Sequence, residues 1–172
     1  MPYRYYRVYF KWPQHQRTVR DIPLKNIKMF EKLEHLGIAV KNIEASNPLF
    51  ASLLGQKSPY KVEEVASEGV KTAFYDGGNV KIELLEATKT DSPIHKFIEK
   101  RGEGLHHIAF EVENIEKSME EMRQKGIRLL NETPKQGADN KLICFLHPKD
   151  TNGILIELCQ DKDKIIVADE EE

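Results

Sequence analysis

Hydrophobic and polar positions along this chain fall into one pattern written twice. Leu36, Ile38 and Val40 alternate with His35, Gly37 and Ala39, the period of a half-buried strand. A helix is predicted from about Asn42 to Leu54, with Gly55 as its C′ residue. Pro48 falls inside it and predicts a kink, or a helix restarted with Asn47 as N-cap. Strands follow at Lys61–Val65, Val70–Tyr75 and Val80–Leu85, the last two paired as a hairpin through the turn Asp76-Gly77-Gly78-Asn79. Asp91-Ser92-Pro93 starts a connector helix that runs to about Arg101 and is broken by Gly102-Glu103-Gly104.

The pattern then begins again. A strand at Leu105–Val112 leads into a helix from Asn114 to Lys125, closed by Gly126. Ile127–Asn131, Leu142–Leu146 and Ile154–Cys159 supply three more strands, with HPKDTNG (147–153) as the last hairpin loop. The predicted class is α+β, a β-α-β-β-β module present twice: module one at about 31–88, a connector helix at 91–102, and module two at about 104–162.

The duplication is visible in the residues themselves. HLGIAVKNIEAS (35–46) and HIAFEVENIEKS (107–118) share six identities in twelve at an offset of 72. IEL recurs at 82–84 and 156–158, offset 74. The repeats superpose His35 on His107 and Glu83 on Glu157, so two imidazoles and two carboxylates form a four-point site suited to a divalent metal.

Strand parity decides which of these side chains share a surface. His107, Ala109 and Glu111 face one way, while His106, Ile108, Phe110 and Val112 face the other and should pack on the helices. Glu83 is opposite Ile82 and Leu84, and Glu157 is opposite Ile156 and Leu158. Four ligand-type residues are therefore aimed at one face. A single strand histidine or glutamate is more often an ordinary polar residue, but four on one parity, placed twice by a repeat, reverse that weighting. Buried carboxylates are costly unless paired or metal-bound. His106 is expected to hydrogen-bond near the strand start, and His15, His95 and His147 have no matched partner in the other repeat.

Composition narrows the class without naming it. The 172 residues, 31% charged and 40% hydrophobic, describe an ordinary globular protein with enough chain for one sizeable core. No apolar run is long enough to span a bilayer, so a membrane protein is not expected. A net charge of −2 makes no case for nucleic acid. Cys144 and Cys159 sit in apolar strand-like runs without CxxC spacing, which suits two reduced core thiols in a cytoplasmic protein. Charge is uneven: residues 1–28 hold seven Lys or Arg against Asp21, together with four of the six tyrosines and Trp12. That basic aromatic stretch reads as a disordered or loosely docked arm, as sequence upstream of a start at Met29, or, least well, as a transit peptide. The acidic tail at 163–172, ending in DEEE, reads as a solvated charge run.

EHLGIAV (34–40), KIELLE (81–86), SPIHKFIEKRGEGLHHIAFEV (92–112) and FLHPKDTNGILIEL (145–158) carry a resemblance to a known family. Over about residues 31–162 the chain resembles the vicinal oxygen chelate superfamily of glyoxalase I and the ring-cleaving dioxygenases, and within it the methylmalonyl-CoA epimerase family. The resemblance implies a mixed sheet curled into a cup, helices on its outer face, and one divalent metal (Co, Mn, Zn or Ni) held by His35, Glu83, His107 and Glu157. It also implies an acyl-CoA substrate, a homodimer, and epimerisation by removal and return of an α-proton. Glu157 would then serve as ligand and base. Some family members carry a second Glu base on the preceding strand. The position that aligns with it here is Thr72, which cannot act as a base at neutral pH, and Glu83 is the substitute candidate. Lys135, Gln136, Gly137 and Ala138, with Lys149, are candidates for contacts to the CoA moiety.

Three other functions fit the same scaffold. A glyoxalase I-type lactoylglutathione lyase also uses two His and two carboxylates. A non-catalytic ligand-binding member would lack metal-type residues, and none is lacking. A ring-cleaving dioxygenase would use two His and one carboxylate, and Glu83 argues against it.

Overall fold

The computed structural model describes residues 29–164, so the basic arm and the acidic tail beyond Lys164 lie outside the described residues. Module one comprises β1 (Lys32–Ala39), α1 (Ile43–Leu54), β2 (Lys61–Val65), β3 (Val70–Asp76) and β4 (Lys81–Ala87). The connector is α2 (Pro93–Arg101). Module two comprises β5 (Gly104–Glu111), α3 (Ile115–Gln124), β6 (Lys135–Gln136), β7 (Lys141–Leu146) and β8 (Ile156–Asp161). The eight strands form one sheet in the order β2-β3-β4-β1-β5-β8-β7-β6. β1 and β5 are antiparallel neighbours at its centre, and each pairs in parallel with the last strand of its own module, β4 or β8. The two modules thus join through the strands that carry the duplicated histidines.

Local sequence explains the element ends. Asn42 and Asn114, duplicated by the repeat, are the N-caps of α1 and α3, and their side chains accept from the amides of Ala45 and Lys117. Gly55 closes α1 in the left-handed conformation. Ser92 caps α2 ahead of Pro93. Pro48 does not restart the helix: α1 is continuous through it, and the Asn47 side chain instead accepts from the Tyr75 hydroxyl at 2.9 Å.

Two elements differ from expectation. Residues 127–131 form no strand and contribute only a bridge from Leu129 to Leu146. The edge strand of module two is the short β6 further on, because Ile127 and Leu129 pack under α3. α2 is the second. α1 and α3 cover the outer face, on Val40, Ala73, Tyr75 and Leu84 in module one and on Val112, Cys144, Leu146 and Leu158 in module two. α2 packs instead with Ala39, Val70 and Leu85, whose parity is that of His35 and Glu83, and so caps one end of the concave face. Leu84 and Leu158, equivalent through the IEL repeat, are both fully buried on the outer side, worth roughly 2 kcal/mol each. Both cysteines are free and buried, and no helix among the described residues is long and apolar enough to cross a membrane.

The sheet curls until its two edges face one another. Asp139, in the turn between β6 and β7, binds Lys61 of β2 at 3.0 Å and Lys81 of β4 at 2.6 Å, and its amide donates to Glu63. Lys135 of β6 reaches Glu68 at 3.2 Å. These ionic contacts tie module two to module one across the mouth of the cup.

Candidate active site

Four strands place four side chains at the base of the cup. His35 and His107 come from the central pair β1 and β5, and Glu83 and Glu157 from β4 and β8 on either side. All four are at most 6% exposed. His35 Nε2 and His107 Nε2 lie 2.9 Å apart. Glu83 Oε2 is 3.3 Å from His35 Nε2 and 3.5 Å from His107 Nε2, and Glu157 is 3.8 and 3.6 Å from the same two atoms. Ligands on one cation with bonds of about 2.1 Å lie about 3.0–3.5 Å from each other. Each carboxylate lies at or slightly beyond that spacing from both imidazoles, the ligand atoms of His35, His107 and Glu157 all lie within 4.8 Å of one another, and the mixed N/O chemistry fits a divalent ion.

Burial dominates the electrostatics of these four groups. Burial pushes the Glu83 carboxyl up to about 7 and that of Glu157 up to about 8, with His35 pulling both back. Burial also opposes charge on His35, but Glu83, Glu34 and Glu157 outweigh it and raise that imidazole to about 9. His107 is driven well below its usual value by burial, with His35 and His106 adding to the effect. A divalent ion at the centre would reverse the burial penalty on both carboxylates.

Two residues beside these four lie outside the sequence expectation. Glu34, 4% exposed, accepts from His35 Nδ1 at 2.5 Å and pairs with Lys81 at 2.6 Å. Burial works against its charge, but the bonds from His35 and Lys81 hold the carboxyl far below the usual range. His106 does not point to the outer helices as parity predicts. A bulge leaves it out of the β1–β5 register, its Nδ1 lies 3.0 Å from His107 Nδ1, and its ring meets Phe97 of α2 edge-on at 4.9 Å. Burial lowers its pKa to about 4, so it is neutral. A bulge has no sequence signature here, which is why alternation misassigned it.

Above the cluster opens a cavity of about 260 Å³. Its walls are largely apolar, with Val65, Val70, Leu85, Ile94, Leu130 and Phe145 among them. Thr72 faces it too, 1% exposed, with a long hydrogen bond to the Glu63 carbonyl (3.4 Å). Glu68 lines it near the mouth. Of the proposed CoA-contact residues, Lys135, Gly137 and Ala138 line the cavity. Gln136 turns away along β6–β7 to the carbonyls of Gly137 and Lys141 and to Lys162, because strand alternation sends it opposite its neighbours. Lys149 is exposed in a 3-10 turn where its amide caps onto His147 Nδ1, and it is not among the cavity residues. That loop is shaped by the Arg128–Asp150 ion pair at 2.8 Å.

Comparison with known proteins agrees with this geometry. The profile of the Glyoxalase/Bleomycin resistance protein/Dioxygenase superfamily matches residues 34–145. An ethylmalonyl-CoA/methylmalonyl-CoA epimerase of Cereibacter sphaeroides is 40% identical over 134 residues, 77% of this chain and 99% of that protein. An uncharacterized protein of Bacillus subtilis is 40% identical over 131 residues, 76% of this chain and 93% of its own. The solved structure of a Streptomyces coelicolor methylmalonyl-CoA epimerase variant in complex with 2-nitronate-propionyl-CoA superposes with a TM-score of 0.72 at 34% identity, covering 77% of this chain and 99% of that one. The chain belongs to the glyoxalase/bleomycin resistance/dioxygenase superfamily, and within it to the family of the methylmalonyl-CoA epimerases.

Proposed function

We propose that this protein is a methylmalonyl-CoA epimerase, interconverting the (R) and (S) thioesters by moving the α-proton. The observation that carries this reading is the convergence of His35, Glu83, His107 and Glu157, the two imidazoles 2.9 Å apart and each carboxylate 3.3–3.8 Å from both, beneath an apolar cavity with a lysine at its mouth. His35, Glu83, His107 and Glu157 would hold a divalent cation, one of Co, Mn, Zn or Ni. When bound, that ion supplies Lewis-acid stabilisation of the charge that develops on the thioester and carboxylate oxygens as the α-proton leaves.

The chain's own groups divide the remaining work. Glu157 takes the α-proton from the base of the cup, where its buried carboxylate is kept from bulk water and faces the cavity. Inversion requires the proton to return from the opposite face. Glu83, the symmetry mate of Glu157 on the far side of the β1–β5 pair, is the candidate, while Thr72 occupies the cavity without a group that can carry a proton at neutral pH. Glu68, a cavity carboxylate apart from the histidines and, unlike Asp139, not clamped between two lysines, is the competing candidate. The apolar walls exclude water from the carbanion face. Lys135 and the amide of Ala138 face the phosphate-bearing end of a CoA thioester, while the Gly137 amide is committed to the Lys141 carbonyl at 2.9 Å.

The test is exchange. Metal-loaded protein incubated with methylmalonyl-CoA in deuterated water should incorporate deuterium at the α-carbon, and no incorporation would sink this reading. A hemithioacetal assay run in parallel scores the glyoxalase alternative. Glu157→Gln should lower exchange by about 10²–10⁴-fold. Glu83→Gln and Glu68→Gln, compared for loss of inversion with one-face exchange retained, decide which carboxylate returns the proton.

A further inference from the structure

We propose that Glu34 and His106 are positioning residues: each is extruded by a β-bulge, holds Nδ1 of the histidine that follows it, and leaves that histidine's Nε2 lone pair aimed into the cluster. The proposal rests on the reading of His35, Glu83, His107 and Glu157 as metal ligands.

In a regular strand, neighbours point to opposite faces, so the residue before a concave-face histidine should point outward. In the β1–β5 ladder Leu33 pairs with Phe110 and then His35 with Ala109, so Glu34 has no cross-strand partner. Gly37 pairs with His107 and then Ile38 with Leu105, so His106 has none either. The bulge thus occurs twice, 72 residues apart like the histidines themselves. Each turns the extra side chain onto its neighbour: Glu34 Oε2 lies 2.5 Å from His35 Nδ1, and His106 Nδ1 lies 3.0 Å from His107 Nδ1. Both orienting groups are themselves fixed. Glu34 is held by Lys81 at 2.6 Å and Lys141 at 3.6 Å, and His106 by the Phe97 ring.

Tautomers follow from the donors and acceptors. A carboxylate only accepts, so His35 carries its proton on Nδ1 and presents the Nε2 lone pair. For His107 to present Nε2 to the same centre, its Nδ1–H must donate to His106 Nδ1, which places the His106 proton on Nε2. The two units are equivalent in geometry and unequal in charge. Anionic Glu34 makes His35 the more basic ligand, whereas neutral His106 only orients His107.

Zinc affinity of the full-length protein, measured by competition with a chromophoric chelator, tests this together with imidazole nitrogen NMR of the zinc-loaded wild type. Glu34→Leu and His106→Phe should each weaken zinc about 10–100-fold, with the Glu34 variant losing more. Glu34→Gln, which keeps an acceptor without the charge, should recover part of the loss, which a merely structural role would not predict. The NMR should find Nδ1–H on both His35 and His107, a measurement that needs no variant to fold. Variants that bind zinc within twofold of wild type, or a His35 or His107 found protonated on Nε2, would overturn the proposal. A wild-type protein that binds no divalent cation would instead overturn the four-ligand reading, and this proposal with it.

Discussion

At the scale of single residues, the site depends as much on what is missing as on what is present. Gly37 pairs with His107 across the central strands, and a Cβ there would lie 2.2 Å from His107 Cε1. The glycine is required by close approach of the ring, not by an unusual backbone angle. Gly37→Ala should therefore push His107 out of the cluster. We expect at least a tenfold loss of zinc affinity and about 1–3 kcal/mol of stability, measured by chelator competition and denaturant unfolding. Undiminished affinity in that variant would contradict the geometry at the cup base. The four ligand-type residues are legible in the sequence, because duplication and alternation both point to them. Glu34 and His106 are not, since a bulge overrides alternation by exactly the one residue that alternation cannot see.

At the scale of elements, local signals served well wherever they came as matched pairs. The N-cap asparagines recur in the repeat and cap both outer helices. Asn42→Ala and Asn114→Ala should each cost about 1 kcal/mol. Because they cap helices in different modules, thermal or denaturant unfolding of the double variant should find the two costs additive within about 0.5 kcal/mol. Signals that stood alone did worse. The apolar run at 127–131 resembles a strand, but its Ile127 and Leu129 are used to cover α3, and pairing is left to the polar β6. α2 shows a helical start and stop, yet nothing in it announces that it packs on the concave face rather than the outer one. Short apolar segments have no preferred side until the layers are assembled.

At the scale of the molecule, the cup is closed by charge. Asp139 reaches from module two to Lys61 and Lys81 of module one, and Lys81 continues to Glu34 and so to His35. The mouth of the cavity and its base are thereby linked through one lysine. Asp139→Ala should free the turn at 137–140, raising amide exchange there several-fold. It should raise KM for the CoA thioester more than it lowers kcat. Steady-state kinetics with unchanged KM would show that this turn plays no part in holding substrate.

What the sequence determined by itself is the repeat: two modules, the faces of their strands, and four residues that parity sends to one side. These follow from local periodicity, which a chain carries in its own order. What only the tertiary structure decided is how those faces meet. The β1–β5 pairing with its two bulges, the placement of α2 inside the cup, and the ionic contact between distant edges all arise from contacts between segments far apart in sequence. No local pattern encodes such contacts, because their energy exists only once both partners are in place.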